Sequence, residues 1–319
     1  GGIDAARSGI LEVINGHWLY FPYALISGVQ TVLMQILLGL AQESGQSVLA
    51  FGLVILNSLL GLFLLAGLFG CIKDGIFNRY MGIGRLIHHS IFHSLRFAGT
   101  VLLMAPVGIA MGLGYAAAVA GIMAIAGPDI LLFLILLALL GFPALVGFTI
   151  FFIPPMVAVV ENTNPFVAFA RGMKFAITKI FSLFVLTVVV MFGGGGLVFV
   201  IWFFWWLFSI LLLLFLPPWL YQALQTFVGS LVVAGVFGLI FAAVMILYLS
   251  HLPEERLRAI HGRLRGPPPR PGALYITMAI LAALLLLLSY LHYGEGRGPF
   301  MRQPAEQFQG IEDEIPPGL

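Results

Sequence analysis

The amino-acid sequence predicts an all-α, polytopic transmembrane helical bundle with about seven spanning helices and two interfacial amphipathic helices on the cytoplasmic side. Three observations predict it: the scarcity of charge, the length of the apolar runs, and the one-sided distribution of basic residues. Of 319 residues, 61% are hydrophobic and only 9% are charged, with a mean hydropathy of +1.08, where soluble domains carry about 25% charged residues. So little charge cannot cover a water-exposed surface. The apolar runs are continuous, as in 130–160, whereas a transmembrane β-barrel needs alternating segments of about 10 residues. Helices satisfy their own backbone hydrogen bonds in lipid, and that requirement selects them.

About 20 apolar residues span the hydrocarbon core. On that ruler the spans fall near 18–40, 48–72, 97–126, 130–160, 181–214, 221–250 and 273–292. Several are longer than needed, which implies tilt, kinks or projecting ends. Pro22, Pro106, Pro143, Pro154 and Pro155 lie inside or near the ends of these runs, where each removes a backbone donor. The connections 41–47, 127–129 and 215–220 are short, so their flanking helices must be antiparallel. The chain opens Gly1-Gly2-Ile3-Asp4 with no basic segment followed by a short apolar run and a small-residue cleavage site, so the run from Trp18 is expected to be a retained span.

Orientation follows from the basic residues, because Lys and Arg concentrate in cytoplasmic loops. In a seven-span arrangement Arg7, Lys73, Arg79, Arg85, Arg96, Arg171, Lys174, Lys179, Arg256, Arg258, Arg263, Arg265 and Arg270 share one side, and only Arg297 and Arg302 fall on the other. Thirteen of the 15 basic residues thus place the N-terminus in the cytoplasm and the C-terminus outside. They are too dispersed for a nucleic-acid surface, and no nucleic-acid partner is expected.

Two cytoplasmic stretches have amphipathic spacing. In the first, Arg85, His89, His93 and Arg96 recur at steps of four and three, with Ile83, Ile87, Ile91 and Leu95 on another face. In the second, Asn164 can cap a helix that has Pro165 at its first position. There Arg171 and Lys174 form the polar stripe, and Phe166, Phe169, Met173, Ile177 and Ile180 much of the apolar one. Such stripes suit anionic headgroups at about 1 kcal/mol per charge, so Arg85, His89, His93, Arg96, Arg171 and Lys174 are the candidate lipid-headgroup residues. Both stretches could equally be extensions of the spans that follow them.

The organisation this predicts is a six-helix core over 1–250, with a candidate internal repeat in 75–160 and 162–250. A basic linker follows at 251–272, made semi-rigid by Pro267-Pro268-Pro269. The seventh helix is 273–292, and 293–319 forms an acidic extracytoplasmic tail whose composition favours disorder unless a partner binds it.

Residues for chemistry are sparse. No span has a charged residue near its middle, whereas ion-coupled carriers usually place ionisable groups at membrane depth. Glu161 and Asp129 fall at span ends, as interfacial or capping groups. His89 and His93 are four apart, the spacing of a two-histidine ligand pair, which makes them weak candidates for haem, pigment or metal ligation. No carboxylate or cysteine in their own segment supplies a third ligand, so no metal and no cofactor is assigned. The single cysteine, Cys71, excludes an intrachain disulfide. Gly193, Gly194, Gly195 and Gly196 interrupt the fifth span, as a site of close helix packing or a hinge. Trp202, Trp205, Trp206 and Trp219 nearby suit an outer aromatic belt. No nucleophile elbow, phosphate-binding loop, zinc-protease motif or catalytic carboxylate pair is present.

Gly67-Leu68-Phe69-Gly70 with the segment up to Leu103, and Pro155-Met156-Val157-Ala158-Val159-Val160-Glu161 with Ala168 through Lys174, resemble a broad group of prokaryotic polytopic membrane proteins. That group is similar to the membrane domain attached to some glycerophosphodiester phosphodiesterases. The likeness covers about residues 10–250 and implies a six-helix core in a bacterial cytoplasmic (inner) membrane. The phosphodiesterase catalytic domain has no counterpart here, so no enzymatic activity carries over.

The expected function is therefore a non-catalytic accessory or scaffold subunit of a bacterial membrane protein complex. Its expected partners are other integral membrane proteins, anionic lipids and an extracytoplasmic partner for the tail. A transporter or lipid-handling permease is the alternative, suggested by the repeat and the glycine break. A pigment- or haem-binding membrane protein is the weaker one.

Overall fold

The computed structural model describes residues 17–77, 83–127, 129–262 and 271–293, together with Asp4. Pro267–Pro269 of the linker and the acidic tail from residue 294 lie outside the described residues. Among the described residues all regular structure is helical and no strand is present. The chain is an all-α helical bundle.

Helix α1 (His17–Glu43) turns into α2 (Ser47–Ile76) through Gly45, which sits at φ 68°. That left-handed conformation is cheap only without a Cβ. Helix α3 (Ile83–Ala126) ends at Gly127, φ 54°, and α4 (Ile130–Val160) starts under an Asp129 cap. The Asp129 carboxylate accepts from the backbone N–H groups of Leu131 and Leu132, each at 3.0 Å. Helix α5 (Pro165–Thr178) has the Asn164 cap and leading proline that its sequence predicts, with Val167 N–H donating to Asn164 Oδ1 at 2.8 Å.

Two departures from the sequence expectation concern the amphipathic stretches and the fifth span. The first stretch is no separate interfacial helix: α3 runs unbroken for 44 residues, because 85–98 holds no glycine or proline to end it. The second is separate. Helix α5 meets α6 (Ile180–Val189) at a 77° bend, where Thr178 Oγ1 donates back to the Lys174 carbonyl at 2.7 Å and Lys179 leaves helical geometry. The expected span 181–214 is divided into α6, a π-helical turn over Val190–Gly195, and α7 (Gly196–Phe215). Four successive glycines have the weakest hold on α-helical geometry, so the wider turn settles there.

Helix α8 (Pro218–Leu249), the short α9 (Glu254–Gly262) and α10 (Pro271–Tyr293) complete the described chain. By length and composition, five helices can cross a membrane: α1 from Pro22, α2, α3, α4 and α8. The number is six if the bent α5–α6 pair counts as one span. The apolar stretches Trp202–Phe215 and Ala279–His292 are shorter. These helices are compatible with a multi-pass membrane protein.

Packing is concentrated at one end, where α2 and α4 finish, α3 and α5 begin, and α8 finishes. Lys73, Arg85, Arg96, Arg171, Lys174 and Lys179 also lie there, and it is called the basic end below. Its core joins Phe69, Phe97 and Phe241, all fully buried, with Phe69–Phe241 and Phe69–Phe97 ring centroids at 4.6 and 5.7 Å. Toward the far end the outer halves of α2, α3 and α4 are largely exposed, as at Val48, Leu56, Leu113, Ile125 and Leu131. Helix α10 seats on α1 and α8, where Leu25, Val32 and Leu285 are buried together and Trp219 meets Tyr290 edge-on at 5.2 Å.

Glycines mark close approaches at the basic end and also between α3 and α4, where a Cβ at Gly108 would lie 2.8 Å from Phe151 Cε2 and one at Gly147 2.4 Å from Met111 Cε. A Cβ at Gly67 would lie 2.7 Å from the Leu86 carbonyl oxygen, one at Gly70 2.4 Å from His89 Cγ, and one at Gly172 2.6 Å from Pro154 Cα. By contrast, a Cβ at Gly52, Gly61, Gly112, Gly114 or Gly121 would meet nothing within 4 Å. Gly67→Ala and Gly172→Ala are each expected to destabilise the chain by about 1–3 kcal/mol through overpacking. Gly112→Ala should be neutral or stabilising by up to about 1 kcal/mol of helix propensity. Unfolding of the purified chain in detergent, followed by loss of helical circular dichroism, checks both.

Candidate functional site

The site begins with small residues near the end of α2. Gly67 and Gly70 let α3 approach closely enough for Ser90 and His89 to fill the space their missing side chains leave. One turn further on, Asp74 is carried into that junction and is wholly buried. Its Oδ2 accepts from Arg85 Nη1 at 2.5 Å and pairs with His89 Nε2 at 2.9 Å. The His89 ring stacks on His93, centroids 5.6 Å apart, and His93 meets Phe92 edge-on at 5.0 Å. Arg96 lies over the Phe92 ring at 5.4 Å. Lys73, itself buried, donates from Nζ to the Val159 carbonyl at 3.4 Å, which ties α2 to the end of α4.

A second centre sits on the residue that caps α4. The buried Glu161 carboxylate accepts from Arg171 Nη1 and from the Tyr248 hydroxyl, the latter at 2.5 Å. Phe175 packs edge-on to Tyr248, centroids 5.1 Å apart. Glu161 thereby joins α4, α5 and α8 at one point.

The two centres follow one plan. A carboxylate at the end of an apolar helix pairs with an arginine 11 residues later in the first case and 10 in the second, and that arginine lies in the amphipathic stretch opening the next helix. A buried acid without its cation would cost several kcal/mol, so each pair fixes the angle at which the following helix leaves.

The residues assigned from sequence to a headgroup stripe are dispersed by this arrangement. Arg85 and Arg171 are held by internal carboxylates. His89 and His93 turn inward, with 9% and 3% of their surfaces accessible, because α3 packs that face against the glycines of α2. Lys174 alone of the group is exposed. His89 and His93 do share a helical face, as their spacing requires, but His89 Nε2 is engaged by Asp74. Among the described residues no group of three or more His, Cys, Asp or Glu could hold a metal. Cys71 is buried as a free thiol. Gly193 to Gly195 belong to the π-helical turn, and a Cβ at Gly196 would meet no atom within 4 Å.

Sequence reasoning passes over Asp74, Ser90 and Tyr248. The signal for Asp74 is present: a carboxylate at the end of an apolar run, preceded by glycines four and seven residues earlier and followed by an arginine at eleven. It is drowned by the apolar context. Several atoms of the site have no protein partner: Asp74 Oδ1, His89 Nδ1, Ser90 Oγ, His93 Nδ1 and Arg96 Nη1. Chemically, the arrangement holds charge within a helix junction and offers polar groups to a small ligand; it presents no activated nucleophile.

No family model matches the chain, and neither the curated proteins nor the solved structures contain a match to it.

Asp74→Asn is expected to cost about 3–5 kcal/mol by leaving the half-buried Arg85 beside a neutral group. Asp74→Leu combined with Arg85→Met should regain most of that loss, because no uncompensated charge then remains. A double-mutant cycle on unfolding in detergent checks this; equal losses in the single and double variants would contradict it.

Proposed function

We propose that this chain is a non-catalytic accessory or scaffold subunit of a bacterial inner-membrane protein complex. In this proposal it crosses the membrane about seven times, by α1, α2, α3, α4, the α6–π–α7 unit, α8 and α10, with α5 lying at the interface. The basic end faces the cytoplasm, which puts the N-terminus inside and the C-terminus outside, in keeping with the one-sided distribution of Lys and Arg. The resemblance of 10–250 to the membrane domain of some glycerophosphodiester phosphodiesterases fits a helical membrane bundle. Other integral membrane proteins and anionic lipids are its proposed partners, with a further partner for the extracytoplasmic tail.

The observation that carries the proposal is the division of the glycines. Glycine costs about 1 kcal/mol against alanine in a helix interior, and in membranes it serves where helices approach closely. At the basic end that role is filled within the chain. Gly52, Gly61, Gly112, Gly114 and Gly121 meet no neighbouring helix of this chain, and they are the surfaces proposed to receive helices of a partner.

A transporter or lipid-handling permease is the second reading, supported by the polar cluster joining the two halves; saturable flux or lipid transfer by the reconstituted chain alone would favour it. Pigment or haem binding has less support, since His89 is held by Asp74 through one ring nitrogen.

The test is extraction into native-membrane nanodiscs and measurement of co-purifying chains. A stoichiometric membrane partner is expected, and Gly112→Leu with Gly52→Leu should reduce its occupancy at least about tenfold, equivalent to ~1.4 kcal/mol, with the chain still folded. A protein that is reproducibly alone would sink the proposal.

A further inference from the structure

We propose that the buried junction between the last turns of α2 and the first turns of α3 binds one phosphate group, carried either by an anionic lipid headgroup or by free phosphate. The proposal stands independently of the scaffold function, because it concerns a site made within one chain.

Arg85, His89, His93 and Arg96 succeed one another along a single face of α3. They cover twelve residues, eleven steps of 1.5 Å or about 16 Å. Arg85 and one nitrogen of His89 are taken by Asp74. Beyond them, His89 Nδ1, Ser90 Oγ, His93 Nδ1 and Arg96 Nη1 are each shielded from solvent with no hydrogen-bond partner in the protein. His93 is 97% buried by the complement of its 3% exposure, and Ser90 is wholly buried. Such atoms are costly when left unmet, and native proteins keep few of them. Four within three turns of one helix point to a shared ligand.

The sign of the ligand follows from the charges around it. Lys73, Arg85 and Arg96 are cationic, and Lys73, His88, His89 and Arg96 all lie within electrostatic reach of His93. Against them stands Asp74, whose Oδ2 is engaged by Arg85 and His89 while its buried Oδ1 has no protein partner. From the α4 side the nearest carboxylate is Glu161, which accepts from Arg171 and Tyr248. A metal cation would be repelled by this set, and an anion would be held. Arg and hydroxyl donors, with imidazole nitrogens beside them, suit an acceptor with several oxygens, as in charge-assisted bonds to phosphate. Asp74 is then a positioning residue: with Nε2 of His89 anchored on its carboxylate, Nδ1 is directed away from it. The site also lies at the end of long apolar helices, the depth at which lipid phosphates sit.

The experiment uses the full chain, purified without partners, in two arms. In the first, native mass spectrometry follows the chain in nanodiscs of phosphatidylglycerol or of phosphatidylcholine. In the second, inorganic phosphate is titrated into the chain in phosphatidylcholine nanodiscs. Retention of one phosphatidylglycerol but no phosphatidylcholine assigns a headgroup; saturable uptake of one phosphate assigns the free ion. In either case Arg96→Gln and His93→Gln should lower binding at least tenfold, and Arg258→Gln, on the exposed surface of α9, should leave it unchanged. Binding in neither arm overturns the proposal, as does an equal loss in Arg258→Gln, which would mean surface attraction only. Should the site variants fail to fold, ¹⁵N resonances of His89 and His93 Nδ1 in the unaltered chain decide: they shift on adding the bound species, or the proposal falls.

Discussion

The carboxylate of Asp74 has left water entirely, and the basic end of the bundle is organised around keeping it compensated. A buried acid is tolerable only with a close cation and filled lone pairs. That condition draws Arg85 and His89 inward, requires α3 to lie against α2, and in turn requires glycine at 67 and 70. Glu161 imposes the same condition on Arg171 and Tyr248, so α4, α5 and α8 converge on it. Lys73, bonded to the Val159 carbonyl, links the two centres.

In a bilayer such clamps carry more of the organisation than apolar burial does. Lipid tails are as apolar as Leu or Phe, so the core around Phe69, Phe97 and Phe241 is favoured through close packing rather than escape from water. Polar pairs and small residues therefore decide where helices touch. Buried charge pairs are gathered at the basic end, while Gln30 joins Asn57 between α1 and α2 at 2.8 Å, and Gly108 and Gly147 receive Phe151 and Met111 between α3 and α4. Toward the far end, the outer half of α2 carries no charge pair and most of its side chains are exposed. One chain thus combines a fixed end with exposed helical surfaces suited to lipid or to helices of other proteins.

Much of the fold was legible because its signals are local. Apolar run lengths located the long helices, the Asn164–Pro165 pair marked the start of α5, and Gly45 and Gly127 lie in two of the short connections. The continuity of α3 was ambiguous from sequence, since amphipathic spacing over 83–96 is equally that of an interfacial helix or an extension of the span. The candidate site was only half legible. His89, His93, Arg85 and Glu161 stood out as polar residues in apolar surroundings, but their grouping depends on Asp74, which follows Lys73 at the end of an apolar run and looks like any solvated helix terminus. What buries Asp74 is the fit of Gly67 and Gly70 against α3, a tertiary fact that periodicity does not encode. The four glycines at 193–196 suit close packing or a hinge by composition; Gly193 to Gly195 lie in a π-helical turn and Gly196 opens α7, while single glycines at 67, 70 and 172 serve the close packing at the basic end.

The helices are held at the basic end by buried carboxylates, and the outer ends of α2 and α3 stand exposed. Pulsed electron paramagnetic resonance on the chain in nanodiscs measures this directly. Spin labels would be placed on the exposed positions Ile87 and Ile177 near the basic end, and on Val48 and Met123 at the far end. The account predicts a narrow distance distribution for the first pair and a broad one for the second, narrowing when a partner is bound. Equally narrow distributions at both ends in the isolated chain would contradict it.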